Sequence, residues 1–116
     1  MKACFLVSQR GRSEWRGFFD FQPYDYGPFD RGVYAARDVL LGRGLLAAQL
    51  TTRYPAYALT DAGRARLAAV RRLVGDSDAD WLARIGRYVT SKSFSQLLDE
   101  VYAAFPEYAV RSVVTR

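Results

Sequence analysis

The stretch Tyr24-Asp25-Tyr26-Gly27-Pro28-Phe29-Asp30, with Gly42-Arg43-Gly44-Leu45-Leu46 and Tyr57-Ala58-Leu59-Thr60-Asp61-Ala62-Gly63 after it, decides how this 116-residue chain is read. Asp30 is a good N-cap, because its carboxylate accepts the free amide protons of a first helical turn. A helix is predicted from there to about residue 41, with Val33, Ala36 and Leu40 on one apolar face. Gly42 and Gly44 bracket its end, one of them expected in the left-handed C-cap conformation. Residues 45–50 and 56–59 read as strands, and Thr51-Thr52-Arg53-Tyr54-Pro55 has the length of a hairpin loop. Thr60 is placed to cap a further helix over about 61–74, with Leu67, Val70 and Val74 inward.

Upstream, residues 2–10 read as a short helix, residues 11–17 as a polar loop, and Phe18-Phe19-Asp20-Phe21 as an aromatic strand. Gln22 to Phe29 is turn-rich, and Pro23 and Pro28 push the residues before them toward extended backbone. Downstream, a helix is predicted over about 78–89, acidic at its start and basic near its end, which suits the helix dipole. Ser93 and Gln96 have capping-box spacing and open a helix to about 104, with Leu97, Leu98, Val101, Tyr102 and Phe105 inward. Pro106 starts a last short helix over 107–114. The expected fold class is therefore α+β, mainly α. It is a winged helix-turn-helix with a two-stranded wing over about 45–59 and C-terminal helices over about 78–114, in a single domain of residues 1–116.

Composition bounds the function. The chain carries 17 basic and 12 acidic residues, a net charge of +5, and its pI is near 9.7. Such a value directs attention to nucleic acid, although a GC-rich genome alone produces the same arginine bias. A mass of 13.1 kDa predicts burial of about 12,000 Å² on folding, enough for a core without metals or disulfides. There is no histidine, and Cys4 is the only cysteine. A disulfide within the chain and a zinc site built from His and Cys are thereby excluded. Cys4 sits in the apolar run Ala3-Cys4-Phe5-Leu6-Val7 and is expected in the core. No apolar run approaches the roughly 18 residues of a membrane span, and the start lacks a signal-peptide pattern, so a cytoplasmic location without membrane association is expected.

The quoted segments resemble the bacterial YwgA-like and SocA-like (Panacea) winged-helix proteins. The pattern there is roughly Y-G-P-[FY]-[SD], a helix, L-x-x-x-G-L-[IL], a hairpin and Y-x-L-T-x-x-G. The last two parts also resemble the wing region of MarR-like and PadR-like repressors. The resemblance covers about residues 18–70. It implies a winged helix used in gene regulation, as an antitoxin-like protein, or as an accessory protein in mobile-element or defence operons. It brings no catalytic residues. This chain departs from the pattern at its start, where only residues 1–10 correspond to a longer first helical segment.

The residue types agree with a binding role. Without histidine the usual general base is missing. Asp78/Asp80 is explained by a helix N-terminus, and Asp99/Glu100 by a solvated helix face. Gly42-Arg43-Gly44 lacks the rest of a phosphate-binding loop. No cofactor and no metal are expected. Arg31, Tyr34, Arg37 and Arg43 lie on or next to the predicted reading helix, and Arg53 and Tyr54 at the wing tip. These six are the candidate DNA-binding residues, with Arg53 suited to a minor groove. Arg64, Arg66, Arg71 and Arg72 on the next helix form a weaker candidate group. The partners expected are DNA, a second copy of the chain, and a protein encoded nearby. The C-terminal face of Phe94, Leu98, Tyr102, Phe105 and Tyr108 is a candidate dimer surface by analogy with other winged helices. Phe18, Phe19, Phe21, Tyr24, Tyr26 and Phe29 are expected mainly in the core. The alternatives are a non-catalytic subunit of a toxin–antitoxin, defence or mobile-element complex, and a small ribonuclease toxin using Tyr24, Tyr26, Arg31 and Arg37.

Overall fold

The computed structural model describes residues 1–49 and 56–113. The fold is α+β and mainly helical, with two small two-stranded antiparallel sheets. The chain divides into two compact units, Met1–Val33 with Trp81–Arg116, and Tyr34–Asp80.

The first unit holds the hydrophobic core. Helix α1 (Lys2–Arg10) buries Phe5 and Leu6 against α5 (Phe94–Ala104), which contributes Leu97, Leu98, Val101 and Tyr102. Phe5 and Leu98 are 0% exposed. The Phe5 ring meets Phe21, Phe105 and Tyr108 edge-on at centroid distances of 5.3, 5.0 and 4.8 Å. Such T-shaped contacts match the positive ring edge to the negative ring face. Burial pushes the Tyr108 hydroxyl pKa up from its ordinary value. Helix α5 starts as its sequence predicts: Ser93 Oγ accepts from the Gln96 amide at 3.1 Å, and Gln96 Oε1 accepts from the Ser93 amide at 3.0 Å.

The segment after α1 differs from expectation. Residues 13–18 form a 3-10 turn (Ser13–Phe18) instead of a loop, and Phe18–Phe21 is not a strand. The strands are β1 (Gln22–Tyr24) and β2 (Gly27–Phe29), inside the stretch read as turns. Pro23 lies opposite Pro28, so neither proline removes a donor that the ladder needs. Gly27 makes the tight return possible, with φ +95. A Cβ there would also stand 3.0 Å from Leu98 Cδ1, so the turn packs directly on α5. Of the six aromatics in this stretch, Phe21 is buried, while Phe18, Tyr24 and Tyr26 are exposed. Cys4 is half-buried, not fully in the core. The last predicted helix shrinks to a 3-10 turn (Pro106–Tyr108), because Phe105 and Tyr108 turn back onto Phe5.

The second unit is a helix, a hairpin and a helix. Helix α2 (Arg31–Gly42) enters it from the first unit, and α4 (Asp76–Thr90) leaves it. Asp30 Oδ1 accepts from the Gly32 amide at 2.8 Å, as an N-cap should. Gly44, at φ +72, is the left-handed glycine that ends α2. Strands β3 (Leu46–Gln49) and β4 (Ala56–Leu59) pair in the register Leu46↔Leu59 to Gln49↔Ala56. Thr60 then caps α3 (Asp61–Val74): its hydroxyl accepts from the Gly63 amide at 3.0 Å and donates to the Gly44 carbonyl at 2.6 Å. One threonine thus ties the end of α2 to the start of α3. Gly63 is buried because α3 leaves the hairpin at contact distance. A Cβ on it would lie 2.0 Å from the Leu45 carbonyl oxygen.

The expected inward faces of this unit are not covered. Leu67 and Val70 of α3 are 45% and 40% exposed, Leu40 of α2 is 39% exposed, and Ala36 is also exposed. Val33 packs against the first unit's own core, and Val74 is half-buried. The periodicity marks which face wants cover. Two helices and a two-stranded hairpin, however, do not supply the second layer that would bury it.

Candidate nucleic-acid interface

Charge is distributed unevenly along the chain. Residues 31–74 contain eight arginines against two aspartates, net +6, while all other residues carry nine basic and ten acidic groups, net −1. The whole excess of positive charge therefore lies within residues 31–74.

Within the second unit, Arg37 lies beside two tyrosines and an aspartate. Its guanidinium carbon lies 4.6 Å from the ring centre of Tyr34 and 5.5 Å from that of Tyr57. Its Nε donates to Asp38 Oδ1 at 3.1 Å. That hydrogen bond pushes the Arg37 pKa further up. An exposed ion pair of this kind adds little stability. Its effect is positional: with Nε engaged and aromatic rings beside the guanidinium, the Nη donors are presented in one orientation. A stacked arginine is also well suited to meet a phosphate or a base edge, since its fork matches either.

Tyr57 is a site residue that the sequence reading overlooked. Strand alternation was the signal that pointed to it: Tyr57 and Leu59 share the exposed face of β4, whereas Ala56 and Ala58 are half-buried. Of the six candidates, Tyr34 and Arg37 are brought together. Arg43 is exposed beyond the end of α2, and Arg31 is exposed at the first position of that helix, in the other unit. Arg53 and Tyr54 lie outside the described residues.

The arginines of α3 divide by role. Arg64 Nη1 donates to the Leu59 carbonyl at 3.1 Å, and its other Nη pairs with Asp61. It therefore clamps α3 to β4. Arg71 faces Asp80 at 3.7 Å. Arg66 and Arg72 are exposed.

Among the described residues no group of three His, Cys, Asp or Glu side chains converges, and no helix is long and apolar enough to cross a membrane. Tyr24 lies against Phe29 and Arg111, and the Tyr26 ring meets Phe94 edge-on. Of the C-terminal face read as a dimer surface, Leu98 and Tyr102 are buried, Phe105 and Tyr108 pack on Phe5, and Phe94 is exposed. The chain matches no protein-family model, no curated protein and no solved structure.

Proposed function

We propose that this chain is a winged-helix DNA-binding protein acting in the cytoplasm as a transcriptional or antitoxin-like regulator. The observation that carries the reading is the confinement of all net positive charge to residues 31–74, where α2 precedes a two-stranded hairpin. In this reading α2 is the reading helix and the β3–β4 hairpin is the wing. Arg37, held between Tyr34 and Tyr57, supplies the ordered contact. Arg43, exposed just beyond the end of α2, extends the contact along the backbone.

Salt dependence tests it. Phosphate contacts release condensed counterions, so log K against log salt should fall with a slope of about −0.9 per contact. Duplex DNA of mixed sequence is expected to bind with a clearly negative slope. Arg37→Gln should weaken binding across sequences and make the slope shallower by about one contact. No binding at low salt, or a flat slope, contradicts the reading.

A further inference from the structure

A cleft of about 270 Å³ opens in the first unit where three helices end. Leu6 and Arg10 reach it from α1, Ile85 and Tyr88 from α4, and Val101 and Phe105 from α5 and the residue after it. Glu100 of α5 is set into this largely apolar wall. Its two carboxylate oxygens stand differently. Oε1 pairs with Lys92 at 2.9 Å, whereas Oε2 is buried and has no hydrogen-bond partner among the described residues. A buried acceptor without a donor is costly, and folded proteins keep few of them. The rings in the wall already receive cations from the chain itself. The Arg10 guanidinium lies 5.0 Å from the ring centre of Phe105, and Lys92 Nζ lies 5.2 Å from that of Tyr88.

We propose that this cleft binds a small organic cation, a primary ammonium on an apolar body, with Glu100 Oε2 accepting from the ammonium and Leu6, Ile85 and Val101 enclosing the body. Charge decides the sign of the ligand. An anion would gain Arg10, but it would bring a second negative charge against an oxygen that already lacks a donor. Arg10 is the last residue of α1, Ala104 the last of α5, and Tyr88 lies in the last turn of α4. Three helix C-termini thus add partial negative charge near the cleft. Outside residues 31–74 the net charge is −1, so the basic character of the whole chain does not stand against a cation here. Arg10 is exposed and Lys92 is half-buried, and their long stems let both heads swing into water as a ligand enters. Drug-sized sites begin near roughly 300 Å³, so the occupant is a single-ring molecule rather than a larger one. The site lies in the first unit and does not depend on whether residues 31–74 bind DNA.

Phenethylamine titrated into the full, isotope-labelled chain tests the site, with 3-phenylpropionate as the anion of matching shape. The amine should move the resonances of Leu6, Ile85 and Val101 saturably, with a Kd of about 1 mM or below. The anion should bind at least about tenfold more weakly. Glu100→Gln keeps the shape and removes the charge, and it should cost the amine about tenfold in affinity. No saturable shifts, equal binding of the anion, or unchanged affinity in Glu100→Gln overturns the proposal. If Glu100→Gln loses helical circular dichroism, Ala104→Met takes its place, because it fills the cleft and leaves the carboxylate intact. Loss of amine binding in that variant supports the site, and retained binding overturns it.

Discussion

Gly63→Ala is expected to destabilise the second unit by about 3 kcal/mol, the upper part of the range for overpacking. Helix propensity alone predicts the opposite sign, since alanine in place of glycine within a helix gains about 1 kcal/mol. Geometry overrides propensity here. The new methyl would stand 2.0 Å from the Leu45 carbonyl oxygen and 3.0 Å from its carbon, which are backbone atoms that cannot rotate away. Relief requires α3 to move off the hairpin. That motion pulls on the Thr60 amide bond to Leu45 at 3.2 Å and on the Thr60 hydroxyl bond to Gly44 at 2.6 Å. Amide hydrogen exchange provides the check. Protection should fall along β3, β4 and the start of α3, while α1 and α5 keep theirs. Unchanged protection in the hairpin would contradict the close approach of α3 to it.

Phe5→Ala is expected to have the larger effect, a loss of about 4 kcal/mol, in the range for removing a fully buried phenylalanine. The ring is 0% exposed and is the common neighbour of Phe21, Phe105 and Tyr108. Its removal leaves a cavity where α1, the β1–β2 segment and the chain after α5 converge. Domains of this size have only about 5–15 kcal/mol in total, so the first unit should approach the edge of unfolding. Denaturant titration followed by circular dichroism should show a much lower midpoint. A change of less than about 1 kcal/mol would mean that the ring is not central to the core.

Much of the helical framework was legible in the sequence, because capping is local chemistry. Asp30, Thr60 and Ser93 each accept the amide that their position predicts. The hairpin of residues 46–49 and 56–59 followed from two short strand-like segments separated by a stretch of hairpin-loop length. The β1–β2 ladder was hidden because two prolines inside three-residue strands look like breakers. Only their position opposite each other makes them harmless. Periodicity put Leu67, Val70 and Val74 on one inward face, yet Leu67 and Val70 are exposed and Val74 is half-buried, because periodicity cannot say whether a second layer is present to cover that face. For the candidate site, Tyr34 and Arg37 were reachable because residues three apart on a helix share a side. Tyr57 is 20 positions away from Arg37 in sequence, and only the folded hairpin brings it to the guanidinium.

If residues 31–74 carry the proposed nucleic-acid-binding face, amide chemical-shift mapping with a mixed-sequence duplex reveals it. At low salt the shifts should concentrate on Tyr34, Arg37, Arg43 and Tyr57, and fade as salt is added. Shifts confined to α1 and α5, or an unperturbed spectrum at low salt, would contradict the account.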